Sequence, residues 1–251
     1  MKRYMLFVIL IGIFSTCFSQ EESPCGTSIR KCDYRNLKNC YNLLSFDDQR
    51  NMYVMKRDFS TPYNGTCVTC HQNGNLEESL NIVNGYRDGI DTSYFQNGCR
   101  QSIQAYSMGK LNGKSTVYFE SGRKEREINH VNNQLQGTYI LFDDNESNDT
   151  IELHTYKNNL MDGVQKFYYL DSKLGKMVYY KAGLQDGPHI TYTDSGKVKS
   201  ILQSLKMIDY ATAKNPFVEF PKAVLVTLFD TNGNKTTVIA DKAISYKKTE
   251  V

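Results

Sequence analysis

The sequence predicts an all-β protein: an elongated single-layer antiparallel meander of 24-residue β-hairpin repeats, with a disulfide-stapled N-terminal cap and a C-terminal β segment. Three observations carry this. Gly65, Gly89, Gly113, Gly137, Gly163 and Gly187 recur at intervals of 24, 24, 24, 26 and 24 residues, the signature of a repeat architecture. Tyr (18) and Phe (12) are plentiful and Trp is absent, a balance that favours strands. Of the seven cysteines, Cys17 falls in the apolar N-terminal segment, and the other six, Cys25, Cys32, Cys40, Cys67, Cys70 and Cys99, crowd residues 25–99, an even count that reads as a disulfide framework.

Residues 1–20 read as a signal peptide: a basic start (Lys2, Arg3), an apolar run from Met5 to Phe14, then small residues. The run is shorter than the roughly 20 apolar residues of a membrane-spanning helix. Cleavage near Ser19 leaves small side chains at Cys17 and Ser19. Lipid attachment at Cys17 is the weaker alternative, because Thr16 and Phe14 suit that processing site poorly. The expected location is outside the cytoplasm, in the periplasm or at the outer membrane or cell surface. The net charge of +3 falls further once Lys2 and Arg3 are gone, so no polyanion-seeking field is expected and nucleic acid is excluded as a partner. Residues 21–60, which are polar and carry cysteines, are expected to cap the first edge of the array.

Residues 61–200 form the repeats. Before the periodic glycines stand Asn64, Asp88, Asn112, Gln136, Asp162 and Asp186, and the Asn-Gly and Asp-Gly pairs are expected to make tight hairpin turns. Gly85, Gly109, Asn133, Asn159 and Gly183, four residues upstream, tolerate left-handed backbone and read as linkers between repeats. A second turn is expected at Asn73-Gly74, Asn97-Gly98, Ser121-Gly122 and Ser195-Gly196, which gives two strands per repeat. The acidic run from Asp143 to Asp149 reads as an elongated hairpin tip, with a calcium loop as the alternative. Five residues after each periodic glycine lie Cys70, Tyr94, Tyr118, Phe142, Tyr168 and Tyr192. A fixed offset lands on one face, so these form a ladder with a pitch of roughly 10 Å. The first expectation is that the rings pack on one another as the core of the array. The second makes Tyr94, Tyr118, Phe142, Tyr168 and Tyr192 an exposed binding strip.

The segment Thr61-Pro62-Tyr63-Asn64-Gly65 and the recurring Gly-x-x-Asp/Asn-Gly, aromatic, Asn/Ser-Gly pattern resemble the MORN-repeat-variant (YwqK antitoxin-like) family over about residues 60–200. The resemblance implies a single-layer meander of hairpins used for protein or membrane-surface contact, without catalytic residues. The tail, about residues 194–251, resembles the start of the LptC-type lipopolysaccharide-export periplasmic protein through Asp194-Ser195-Gly196-Lys197-Val198, Glu219-Phe220-Pro221-Lys222 and Asp241-Lys242-Ala243-Ile244-Ser245-Tyr246. That family's fold is an open β-jellyroll with a lipid-passing groove, and residues 201–251 hold only its first strands.

Cys67-Val68-Thr69-Cys70-His71 has the spacing of c-type haem attachment. A redox pair and a zinc set of Cys67, Cys70, His71 and Cys99 are further readings. Disulfides are preferred to all three, so no cofactor and no metal is expected. In a regular meander Cys99 lies three strands, roughly 14 Å, from Cys70, beyond the reach of a disulfide. Cys67 and Cys70 point to opposite faces. Each of Cys67, Cys70 and Cys99 is therefore expected to pair with one of Cys25, Cys32 and Cys40, which leaves the pairing within that set open. His130, His154 and His189 show no ligand spacing and read as partly exposed surface residues. With no catalytic constellation, the expected function is binding or scaffolding in the cell envelope, with an envelope protein as partner and a lipid or membrane surface as the other possibility. A lipid-handling accessory of the LptC type and a covalent haem carrier are the alternatives.

Overall fold

The computed structural model describes Cys25, Cys32 and residues 38–209 and 217–246; the leader and most of the cap before residue 38 lie outside the described residues. One helical turn, α1 (Cys40–Leu43), leads into a short hairpin, β1 (Leu44–Asp47) and β2 (Met52–Met55). The array begins with β3 (Gly65–Cys70), β4 (Leu76–Val83), β5 (Tyr86–Arg87), β6 (Gly89–Tyr94) and β7 (Arg100–Ser107). It continues through β8 (Lys110–Leu111), β9 (Gly113–Tyr118), β10 (Lys124–Val131), β11 (Gln134–Phe142) and β12 (Thr150–Lys157). It ends with β13 (Leu160–Met161), β14 (Gly163–Tyr168), β15 (Leu174–Lys181), β16 (Leu184–Tyr192) and β17 (Val198–Asp209). The C-terminal segment adds β18 (Phe217–Phe229), β19 (Lys235–Ala240) and β20 (Ala243–Tyr246).

Every ladder is antiparallel and follows chain order, from β3 on β4 through to β19 and β20 on β18. Among the described residues no ladder hydrogen bonds join β3 to β19 or β20, so the sheet is an open meander.

The turn chemistry corrects the sequence reading. Consecutive left-handed residues occur at Asn84-Gly85, Met108-Gly109, Asn132-Asn133, Asn158-Asn159 and Ala182-Gly183. Two such residues in a row define the type I′ turn, whose twist matches that of the strands it joins. The tight turns thus fall where linkers were expected. The periodic glycines lie inside strands instead, at the breaks between β5 and β6, β8 and β9, and β13 and β14. All six hold positive φ, between +86° and +133°, and at Gly113, Gly163 and Gly187 a cross-strand side chain also leaves little room for a Cβ. A Cβ at Gly163 (φ +105°) would sit 2.6 Å from the Thr155 hydroxyl, and one at Gly187 (φ +128°) 3.0 Å from Tyr179 Cβ.

The residue before the glycine has a different task from turn formation. Asn64 accepts the Asn84 backbone N–H at 2.7 Å, Asp88 that of Met108 at 2.9 Å, Gln136 that of Asn158 at 3.0 Å and Asp162 that of Ala182 at 3.1 Å. The second N–H of each turn goes to a backbone carbonyl of the preceding repeat: Gly85 to Tyr63, Gly109 to Arg87, Asn133 to Leu111, Asn159 to Leu135 and Gly183 to Met161, at 2.8–3.1 Å. Donors that point out of a hairpin tip are thereby satisfied within the array.

The opposite edge carries the second turns at the expected places. Phe95 N–H reaches Cys99 O at 2.8 Å and Gly98 N–H reaches Phe95 O at 2.9 Å, with Gly98 left-handed at φ 88°. This is the three-residue loop closed by a glycine bulge. The same geometry recurs at Ser172 (φ 61°) and Gly233 (φ 86°), the first of which lacked the glycine that marks the others. In the acidic run, Asp143 N–H bonds Asp149 O at 2.8 Å, which makes it the elongated hairpin tip and accounts for the 26-residue interval.

The cap grips the first hairpin on both faces. Asn39 caps α1 through the Asn42 N–H at 3.2 Å. Behind α1, Cys40 and Leu44 bury against Tyr63, Cys67, Leu80 and Ile82, while Cys32 packs on Val68, Leu76 and Tyr94 across the sheet. The disulfides are Cys25–Cys99, Cys32–Cys70 and Cys40–Cys67. Each repeat cysteine meets one cap cysteine, the set reached by elimination. Tyr53 N–H on β2 donates to Gly85 O at 2.7 Å, joining the cap to the first type I′ turn.

That junction yields a comparison. A Cβ at Gly85 (φ +81°) would lie 2.8 Å from Tyr53 O, whereas one at Gly74 (φ +78°) meets nothing within 4 Å. Gly74→Ala is expected to cost about 1 kcal/mol of left-handed strain. Gly85→Ala is expected to cost about 3 kcal/mol, because the cap must move as well. Urea melts of the two variants measure the difference; equal losses would contradict the contact.

Candidate binding faces

Register divides the array into two faces. One carries the ladder. From Ser79↔Thr92, Ile103↔Thr116 and Ile140↔Leu153, alternation puts Tyr94, Tyr118, Phe142, Tyr168 and Tyr192 on the same side. A one-residue bulge before the last pair of each hairpin, as between Thr69 and Cys70, brings Leu76 to this side as well. Of the five, Tyr94 alone is buried, with Cys32 packed against its cluster; Tyr118, Phe142, Tyr168 and Tyr192 are partly exposed. Among the described residues no close ring pair joins two members of the ladder. The expectation that these rings stack as the core of the array is corrected: they stand two strands apart, and Lys124 Nζ lies 5.9 Å from the centroid of Phe142.

The opposite face holds the buried row. Leu80, Asp91, Ser115, His154, Gln165 and Val178 are buried along it, with Gln104, Ile128, Tyr139, His189 and Leu202 at intervening strands. Its register runs Ser115↔Ile128↔Tyr139↔His154 and Gln165↔Val178↔His189↔Leu202. The row is mostly polar, and no fixed residue type marks it, so the sequence periodicity does not reveal it.

His154 corrects another expectation, since it is 6% exposed. Nδ1 meets Gln165 Oε1 at 2.9 Å and Nε2 meets Glu152 Oε2 at 2.8 Å. Phe167 stands edge-on to it with centroids 5.3 Å apart, and Lys176 Nζ lies 3.6 Å from the Phe167 centroid. His130 and His189 are partly exposed, and burial holds both below the usual histidine range.

Where cap and repeats meet, Arg87 lies between Glu78 (3.4 Å) and Asp91 (3.5 Å), and its guanidinium also donates to the hydroxyls of Tyr53 and Tyr106 at 3.4 Å. Asp91 is 3% exposed and accepts the Asn81 N–H at 2.7 Å. Burial pushes its carboxyl up to about 6, against the pull of that hydrogen bond and of Arg87.

Cys67 to Cys70 lie on β3 and His71 follows it; the two sulfurs are bonded to Cys40 and Cys32 and not to each other, so neither is a free thiol for haem attachment or zinc. His71 Nε2 meets Tyr94 O at 2.8 Å. In the acidic tip, Asp144 pairs with Arg123 and Ser121, and Asp149 with Asn145 and Ser172. Among the described residues no three His, Cys, Asp or Glu side chains gather as metal ligands. The disulfides point to an oxidising, exported environment, and among the described residues no helix is long and apolar enough to cross a membrane. No protein-family model matches the chain, and no curated protein matches it.

Two outcomes follow. Because Asp91 ionises with more difficulty in the folded chain than in the unfolded one, its contribution to stability is greatest below about pH 4 and is lost as pH rises through about 6. Asp91→Asn therefore gains on the parent between pH 4 and pH 7 in paired thermal melts; a constant difference would mean the carboxyl is not perturbed. Tyr118→Ala is expected to cost about 1 kcal/mol, well under the roughly 3–5 kcal/mol of a fully buried ring. A loss of the larger size in urea would return the ladder to the core.

Proposed function

We propose that this chain is a non-catalytic exported repeat protein that binds or scaffolds an envelope protein, with the ladder face as the contact surface. The observation that carries the reading is the strip itself: Tyr118, Phe142, Tyr168 and Tyr192 recur on one face, partly exposed, while the array buries a separate row behind them. Such rings offer large contact area for few rotatable bonds, and aromatics are enriched at protein interfaces. An extended single layer presents them in line, as the concave and flat surfaces of other repeat arrays present theirs. The resemblance to MORN-variant repeats supports the same role, and the oxidising environment agrees with an envelope location. A second reading, lipid handling of the LptC type, is favoured by the apolar cluster of Leu202, Val224, Val226 and Ala240 near the C-terminal end.

Crosslinked pull-down from the native envelope with mass spectrometry tests the proposal. The expected product is a protein whose recovery falls at least about tenfold when Tyr118 and Tyr168 are both replaced by Ala, a loss of about 1.4 kcal/mol. Recovery of lipopolysaccharide in its place would shift the assignment to the second reading. A partner retained in full by the double variant would remove the ladder from the interface.

A further inference from the structure

Along the edge of second turns, each turn is tied to the next. Asn73 donates to Gln96 O at 3.0 Å, Asn97 to Glu120 O at 3.0 Å, Ser121 to Asp144 at 2.6 Å, and Ser172 to Asp149 at 2.7 Å. Tyr169 OH then reaches Tyr192 O at 2.8 Å. One further step along this edge separates the turn after Tyr192 from the turn after Phe229. Among the described residues no hydrogen bond crosses that step, and a cleft of about 740 Å³ opens there. Its size falls within the roughly 300–1,000 Å³ of small-molecule sites.

Three rings form its walls: Tyr169, Tyr192 and Phe229. The first is fixed in place. Its hydroxyl is held by Tyr192 O, and its ring lies flat on Gly175, where a Cβ would come within 3.2 Å of two ring carbons. The polar lining is mixed. Asp194 and Asp230 balance Lys197 and Lys199, and Thr193, Ser195 and Thr231 bring hydroxyls. Asp230 is engaged by its own turn, accepting the N–H groups of Asn232 and Asn234 at 2.9 and 2.8 Å. Asp194, Lys197, Lys199 and Thr231 therefore supply most of the acceptors and donors offered to an occupant.

The lining discriminates between ligand classes. Opposed charges in equal number give no preference for an anion or a cation. The four charged side chains of the lining disfavour an acyl chain, whose burial would strip them of water without replacing it. What fits is a neutral molecule with both apolar faces and many hydroxyls: flat C–H faces to lie on the rings, and hydroxyls that both donate to Asp194 and accept from the lysines. We infer that this cleft binds a neutral oligosaccharide of two or three rings. The assignment goes beyond the ladder reading and requires no protein partner.

Isothermal titration of the disulfide-intact protein with chitotriose, maltotriose and cellotriose tests it. The expected result is saturable binding of at least one of them with Kd at or below about 1 mM, weakened at least about tenfold by Tyr192→Ala. Asp194→Asn, at an exposed position that leaves the fold intact, is expected to weaken the same sugar about fivefold or more and serves if the tyrosine variant does not fold. Absence of binding for all three at about 10 mM, or binding that Asp194→Asn leaves unchanged, would overturn the assignment. Neither result bears on the pull-down through Tyr118 and Tyr168.

Discussion

The array depends on one interaction, the capture of a type I′ turn by the repeat before it. A two-residue turn leaves two N–H groups that its own hairpin does not use. Here a carbonyl and an Asn, Asp or Gln side chain of the preceding repeat accept them, as Tyr63 and Asn64 do for Gly85 and Asn84. Each bond contributes about 1 kcal/mol, a small amount alone. Its importance is geometric, because the accepting residue sits at the in-strand glycine and so fixes the pitch from repeat to repeat. A sheet with little apolar burial in its middle portion needs such a device. Between Ser115 and Val178 the buried residues are chiefly polar, with His154 and Gln165 bonded to one another.

At its ends the molecule uses other means. Three disulfides bind cap cysteines to β3 and to Cys99, just before β7. Removal of a native disulfide from a small exported domain typically costs about 2–5 kcal/mol, so the cap is the most strongly secured part of the fold. At its junction with the repeats lies an ionic network around Arg87, where the tyrosines of β2 and β7 meet the carboxylates of β4 and β6. At the far end, β18 carries β19 and β20 on one side and β17 on the other, and the apolar cluster around Val224 replaces the covalent links.

How much of this was legible follows from what leaves a periodic trace. The 24-residue glycines announced the hairpins, the alternation of turns and the common face of the ladder, because each needs one residue type at a fixed offset. They misplaced the tight turns. Asn-Gly and Asp-Gly are the usual type I′ pairs, but the same dipeptides also suit an in-strand glycine at positive φ with an acceptor just before it. Met108 and Ala182 occupy left-handed turn positions that their side chains disfavour; only the capture of their N–H groups by Asp88 and Asp162 accounts for them. The disulfide set could be reached because sheet geometry is rigid. The buried row could not, since it changes from Asp91 to His154 to Val178 with no constant chemistry. The cleft beyond Tyr192 was hidden for a related reason: it arises where the repeat stops, and a pattern carries no information about its own interruption.

The disulfides all lie between residues 25 and 99, whereas the interval from β8 to β17 is held by noncovalent ties between neighbours alone. A load applied between the two ends of the chain would therefore meet unequal resistance. The distal hairpins can peel one at a time, each releasing a length of extended backbone, while the stapled end keeps its shape. The fold therefore yields from its unstapled end, and its compliance is set by the number of repeats beyond the last disulfide.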